Sequence, residues 1–440
     1  MDAQNAGGWG TATVTSGRVD NNFPRRRRPS SRSWNQRSRG HYSRSLRAPG
    51  GYKMMADFCT RANRIGSLML VLTLVALAAG SSLFMTSSAS ATVQDFMPLT
   101  AFNGVACASP NRCIGVGSVA SRANSGAAAP LNPVSGDLST GQSLQLIRSS
   151  GLLNGVSCPS RSACLAVGEN PNETRGIAVP LNPGTAMVRS GQELHIISGI
   201  FMSGVACASS KQCLAVGHNS SGSGVVVALS PATGAISSGQ RVQTIPGTGG
   251  VGLDGVACPS AILCVAVGEN SRRSAGVAVP LDPATGAIRR GRSIQNVTHK
   301  GILLDLACPS TTVCLAVGWG ASQPSVAVPI DPRTGALSKG QRDRSVSARA
   351  AMLTAVSCPS ISLCLAVGND TGDPSVGQAV PIDPTTATIV VDQSIQTQAG
   401  TGALNAVACH STTQCVAAGS RFESAGAVTE LLDPATGRRP

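Results

Sequence analysis

Fourteen of the fifteen cysteines stand in pairs six residues apart: Cys107/Cys113, Cys158/Cys164, Cys207/Cys213, Cys258/Cys264, Cys308/Cys314, Cys358/Cys364 and Cys409/Cys415. Two thiols so spaced can close a disulfide or contribute to a metal site. A zinc site wants cysteines two to four apart with a second pair or histidines close by, and no histidine recurs beside these pairs. Two strands joined by a loop this short run antiparallel, which brings opposed positions within disulfide reach. The spacing therefore predicts seven local disulfides and no metal, and disulfides imply an oxidising compartment.

Other chemistry is sparse. A glycoside hydrolase needs two carboxylates at a set separation; Asp254, Asp305, Glu169 and Glu269 are available, but sequence alone does not pair them. No G-x-S-x-G nucleophile elbow occurs, and His195, His218, His299 and His410 fall at unrelated places in their repeats. The aromatic platforms and S-x-D-x-G-x-x-W boxes of sugar-binding propellers are missing too, since residues 92–440 hold one tryptophan, Trp319, and no tyrosine. Gly247, Gly249 and Gly252 fit G-x-G-x-x-G, yet a strand-like LDGVAC follows where a dinucleotide site needs a helix. An enzyme is not the expected reading, and no cofactor is called for.

Two positions differ from copy to copy. The residue after each xAVG run is Ser118, Glu169, His218, Glu269, Trp319, Asn369 or Ser420, and the residue four before each first cysteine is Asn103, Asn154, Ser203, Asp254, Leu304, Thr354 or Asn405. Loops on a rigid repeat scaffold are where recognition concentrates. Glu169, His218, Glu269, Trp319, Asn369 and Asp370 are thus the candidate ligand-binding residues, with Trp319 as the apolar anchor.

The elements that must position them follow from the repeat. The copies read GVACASPNRCIGVG, GVSCPSRSACLAVG, GVACASSKQCLAVG, GVACPSAILCVAVG, DLACPSTTVCLAVG, AVSCPSISLCLAVG and AVACHSTTQCVAAG, stepped by 51, 49, 51, 50, 50 and 51 residues. Each is followed by an AVPL-like run and most by a Pro-x-Thr-Gly-like turn, with a further run such as GQSLQLI, GQELHII or GQRVQTI after it. Four short β-rich runs per unit at this period indicate a propeller blade, and seven units indicate seven blades. The last unit lacks its fourth run, while VQDFMPLTA (93–101) precedes the first. An N-terminal strand that completes the final blade would leave no open sheet edge.

Before the repeats lie two further segments. Residues 1–66 carry thirteen Lys or Arg against three Asp, too few apolar residues for a core, and the signature of a disordered tail. Residues 67–91 form an apolar segment. Its uncharged stretch, Ser67 to Met85, suits either a cleavable signal peptide ending at Ala89-Ser90-Ala91 or a signal-anchor helix crossing the membrane through 67–85. Cleavage before Thr92 is favoured by the triplet. Either route exports residues 92–440, whose 22 basic and 18 acidic residues give no composition-level case for nucleic acid. Secretion, or anchorage on the outer side of the membrane, is the expected location.

The run C-P-S-x-x-x-C-x-A-V-G, nearly intact at Cys158, Cys258, Cys308 and Cys358, resembles the repeat of exported bacterial β-propeller proteins, chiefly of high-GC actinobacteria. The 31 arginines against 4 lysines suit that background. The resemblance spans residues 92–440 and implies an all-β, seven-bladed propeller. It brings no catalytic residues with it. A protein or cell-envelope component is the expected partner.

Overall fold

The computed structural model describes residues 94–96 and 99–440, apart from connectors at 120–124, 173, 246–250, 271–273, 300, 321–324, 347–350, 374 and 422–425. The expected tail, the apolar segment and its cleavage site lie outside the described residues. Among those described, no helix is long and apolar enough to cross a membrane.

Seven antiparallel sheets follow one another along the chain. Blade 4 shows the pattern: its first strand (Val251–Ser260) pairs with the second (Leu263–Asn270), which pairs with the third (Ala275–Leu281), whose edge takes a two-residue fourth strand (Gln295–Asn296). Blade 7 is made from both ends of the ring. Its strands Ala403–Cys409, Cys415–Ser420 and Ala427–Leu432 are joined by Gln94–Phe96, with Gln94 opposite Thr429. Only part of the expected N-terminal strand serves there, because the chain from Leu99 already belongs to the first strand of blade 1 (Leu99–Ser109).

The fourth strands are shorter than the GQxLQxI runs suggest, two to four residues each. The Gly-Gln part is a turn: Gly141, Gly191, Gly239, Gly291 and Gly340 all take φ between 71 and 76°, a conformation open to glycine and costly for most other residues.

The core sits between blades rather than within them. In the second strand of blade 4, Cys264 and Ala266 pack toward blade 3 while Val265 and Val267 pack toward blade 5. Both faces of each sheet are buried in this way, so the CxAVG runs are apolar without the alternation of a half-exposed strand. Seven such clusters close the ring, the last uniting Leu99 and Phe102 of blade 1 with Val416, Ala418 and Ala427 of blade 7.

All seven cysteine pairs are bonded as expected, each with its partner six residues away. Their Cα atoms lie 3.8 to 4.0 Å apart, closer than the about 4.5 Å of the nearest opposed strand positions. The two halves of each cystine are not equivalent. The second cysteine, Cys113, Cys164, Cys213, Cys264, Cys314, Cys364 or Cys415, is wholly buried, whereas the first, Cys107, Cys158, Cys207, Cys258, Cys308, Cys358 or Cys409, is only partly so. The reason is the strand each belongs to. Second strands have sheet neighbours on either side and a blade against each face, so Cys113, Cys164, Cys213 and Cys364 pack among the apolar side chains between blades. The second half-cystines are thus core positions, and the bond ties each hairpin to that core.

Candidate functional site

Each first strand breaks step with the second at the same point of the repeat. In blade 1 the register runs Phe102 opposite Gly117, then Gly104 opposite Val116, leaving Asn103 as an extra residue. The same β-bulge recurs at Asn154, Ser203, Asp254, Leu304, Thr354 and Asn405. Bulges re-aim a side chain, and here they aim it at the axis: all seven residues line one central cavity of about 160 Å³, room for roughly five waters.

The bulge also explains the final glycine of every xAVG run. A Cβ on Gly117, Gly168, Gly217, Gly268, Gly318, Gly368 or Gly419 would stand 1.8 to 2.0 Å from a carbonyl oxygen of the facing first strand, well inside contact distance. No residue with a side chain fits beneath that carbonyl.

Around the axis the bulge side chains clasp one blade to the next. Asn103 Nδ2 donates to the Leu153 carbonyl at 3.0 Å, Asn154 Nδ2 to Met202 at 2.9 Å and Asn405 Nδ2 to Phe102 at 3.0 Å. Thr354 Oγ1 donates to Leu404 at 2.6 Å. In each case the acceptor immediately precedes the neighbour's own bulge residue. At the equivalent position of blade 4, Asp254 puts a carboxyl where Asn103, Asn154 and Asn405 carry an amide. A carboxylate cannot donate there; a carboxylic acid can.

The electrostatics of Asp254 agree with that placement. Burial, and then the charge of Glu269, push its carboxyl up from 3.8 to about 7, and burial likewise raises Glu269. In blade 2 the corresponding two positions hold Asn154 and Glu169, with amide and carboxylate 3.5 Å apart. Blade 4 sets two acids in the same places.

Asp305 is a second departure. It stands one place after the bulge, where blades 1 to 4 have Gly104, Gly155, Gly204 and Gly255 and blades 6 and 7 have Ala355 and Ala406. These positions form the tightest part of the wall: a Cβ on Gly255 would come within 2.8 Å of the Asp305 Cα. The Asp305 carboxylate accepts the Val356 N–H of blade 6 at 2.9 Å. Burial raises its carboxyl to about 7, against the lowering effect of N–H bonds from Val356 and Leu306.

The six residues selected for ligand binding end or lie next to the end of their second strands, opposite the start of strand one, and none lines the central cavity. His218 is opposite Phe201 and stacks on it with ring centroids 5.0 Å apart; burial lowers its imidazole. Trp319, opposite Ile302, is 40% exposed. Asn369 and Asp370 are adjacent, with Asn369 Oδ1 buried without a hydrogen-bond partner and Asp370 Oδ1 accepting the Gly372 N–H. Glu169 and Glu269 each border the bulge residue of their own blade. The six are brought to one face of the ring and, Asn369 and Asp370 apart, to separate blades. The cystine hairpins occupy the other face, since each second strand runs from hairpin to loop.

Among the described residues, no group of three or more His, Cys, Asp or Glu is arranged to hold a metal ion. The G-x-G-x-x-G run falls largely outside the described residues, and its last glycine, Gly252, is in a strand.

No protein-family model matches the sequence, and neither does any curated protein. Solved structures do resemble the chain. One described as YCF48 bound to D1 peptide aligns over 77% of this chain and 95% of its own at 12% identity, with a TM-score of 0.46. The WD40 domain of Toxoplasma gondii coronin aligns over 76% and 83% at 10% identity with a TM-score of 0.49. Sqt1 from Chaetomium thermophilum aligns over 77% and 99% at 13% identity with a TM-score of 0.42.

Proposed function

We propose that residues 92–440 work outside the cytoplasm as a binding module whose recognition surface is the loop face, with a protein or cell-envelope component as ligand. The observation that carries this reading is the division of labour within the repeat. Cystine hairpins, bulges and glycines recur blade after blade, whereas the seven residues leaving the second strands are of five types and share one face. Seven disulfides fit an exported protein, as do the apolar segment at 67–91 and the likeness to exported actinobacterial repeats. A propeller fold commonly serves protein interaction, and loops on a stiff scaffold can vary without loss of the scaffold.

Oxidised residues 92–440, immobilised against envelope and culture extracts, test the reading beside a variant with Glu169, His218, Glu269 and Trp319 replaced by alanine. Capture by the parent alone supports it. Equal capture by both moves recognition off the loop face. Capture by neither, together with intact thermal stability, favours a ligand-free envelope scaffold. Export has its own test: secreted material should begin at Thr92, and full-length protein in the membrane fraction would establish the anchor instead.

A second reading, a hydrolase or lyase with its site in the channel, has Asp254 and Asp305 in its favour, both on the channel wall with raised carboxyl pKa values. Asp305 is already occupied in holding the Val356 N–H, which favours a structural role. Turnover of a glycan or ester panel that disappears in Asp254→Asn would establish the enzyme.

A further inference from the structure

The excess positive charge of residues 92–440 lies wholly within residues 282–344. That stretch has eight basic and four acidic residues, and the remainder is balanced at fourteen of each. The cations cluster in the connectors that follow the third strands of blades 4 and 5. Those strands end with Leu281 opposite Cys264 and Ile330 opposite Cys314, so their turns start from the cystine face, away from the loop face.

The four acids do not neutralise this surface. Asp305 is in the channel. Asp282 accepts the Ala284 and Thr285 N–H groups of its own turn, at 2.8 and 3.2 Å. Asp343 accepts the His299 N–H and lies 3.6 Å from its ring. Asp331 caps its turn and takes Arg333 at two points, Nε and one terminal nitrogen, both at 3.1 Å. Arg290, Arg292, Lys339 and Arg342 are exposed, and among the described residues none of them has an ion-pair partner.

The two blades form one electrostatic surface. Although burial would raise the Asp331 carboxyl, Arg333 and, from the neighbouring blade, Arg292 hold it below the usual carboxylate range. The Asp331–Arg333 pair also shows the geometry that this row offers: a planar guanidinium receiving a carboxylate by two parallel bonds. No Phe, Tyr or Trp occurs in 282–300 or 331–346, so no large aromatic platform for a nucleobase is present there. Residues 1–66, with a net charge of +10, are no electrostatic match for a row of cations.

We infer that this seam between blades 4 and 5 docks an acidic segment of another polypeptide, its carboxylates seated on Arg290, Arg292, Arg342 and Lys339. The seam is on the opposite face from the proposed loop-face site, so either assignment can fail without the other.

The test uses the full-length oxidised chain and octaglutamate as probe. A zero-length carbodiimide joins peptide carboxylates to lysines, of which the chain has only four, Lys53, Lys211, Lys300 and Lys339. Lys339 should cross-link at the lowest peptide concentration. Reversing the seam with Arg290→Glu, Arg292→Glu and Arg342→Glu should raise the half-saturating concentration at Lys339 about tenfold. An equal charge change elsewhere, with Arg112→Glu, Arg161→Glu and Arg175→Glu, should move it less than about threefold. Equal cross-linking of Lys211 and Lys339 in the parent, or equal shifts in the two variants, would reduce the seam to net charge and overturn the inference. Displacement of the peptide by oligothymidylate at a tenfold lower concentration would assign the surface to nucleic acid instead.

Discussion

Replacing Asp254 by asparagine should stabilise the ring, and more so at high pH. The mutation gives blade 4 the amide that Asn103, Asn154 and Asn405 use to clasp the following blade, and it removes a carboxyl raised from 3.8 to about 7. A group whose pKa is raised by folding contributes fully to stability below its unfolded value, and that contribution is lost as the pH climbs through its folded value. The window is therefore pH 4 to 7. At 1.36 kcal/mol per unit, ionisation opposes folding by about 2 kcal/mol at pH 5 and about 4 at pH 8. Asp254 is only partly buried by accessible surface, so solvent screens its carboxyl and about half of each figure is the working expectation. For a ring of this size, with an unfolding entropy near 2 cal/mol/K per residue, Asp254→Asn should raise Tm by about 1 to 2 °C at pH 5 and about 3 °C or more at pH 8. Thermal unfolding followed by far-UV circular dichroism in non-reducing buffer measures both. A gain no larger at pH 8 than at pH 5, or a loss of stability at either, would show that folding does not hold Asp254 as an uncharged acid. Glu269→Gln should remove part of the same pH dependence, because the Glu269 charge is the second cause of the shift.

Gly268→Ala should cost more than about 3 kcal/mol, since its Cβ would meet the Gly252 carbonyl oxygen at 2.0 Å, whereas Gly252→Ala, with open space around it, should cost less than about 1; chemical denaturation of the pair gives the contrast. Asp305→Ala leaves the Val356 N–H without its acceptor and should destabilise by about 1 to 3 kcal/mol, read by the same method. Removing one cystine, as in Cys258→Ala with Cys264→Ala, should cost about 2 kcal/mol because the loop it closes is short, and mass mapping of the non-reduced parent should recover each half-cystine with its neighbour six residues away. Leu253→Ala should cost about 2 to 5 kcal/mol, since Leu253 is wholly buried between blades 3 and 4.

The architecture was legible because it is repeated. A regular step, a paired cysteine and an apolar run with no alternation recur seven times, so local ambiguity at one copy is resolved by the others. Strand one, strand two and strand three stand where the GVxC, CLAVG and AVPL runs put them. The cysteine pairing was legible from spacing, but the burial of one half of each cystine was not, because it depends on the neighbouring blades that cover the second strand. The fourth strand was overestimated because a Gly-Gln turn and an extended Gln look alike until the backbone angle of the glycine is known. The channel was only half legible. The position four before each first cysteine was visibly variable, but nothing local marks a bulge. The sign of one was present all the same: a glycine close to the end of every second strand has a reason only if backbone crowds it from the facing strand. Asp305 was similarly detectable as an acid in a column of Gly and Ala. The blade 4–5 cation row was hidden by averaging over residues 92–440, where balanced charges elsewhere dilute it to a net +4.

Cores shared between neighbours also determine how the ring tolerates change. Each second strand gives one set of side chains to the preceding blade and the alternate set to the following one, so no blade owns a core and none can leave without exposing two. Closure carries the same coupling across the chain ends: Asn405 of blade 7 clasps Phe102 of blade 1, and Thr429 donates to the Gly136 carbonyl at 2.8 Å. An open repeat array frays from its terminal units, which contact a single neighbour; here the terminal strands are built into one blade and both its interfaces are packed. Deleting the pairing of Gln94–Phe96 with Ala427–Thr429 removes only three residues of ladder, yet it reopens a sheet edge in the blade that closes the ring. A chain beginning at Leu99 should therefore lose more stability than three exposed residues are worth, with hydrogen exchange accelerating first in blades 7 and 1. Exchange accelerating evenly over all seven blades would show that the strand from 94 to 96 is not the closure.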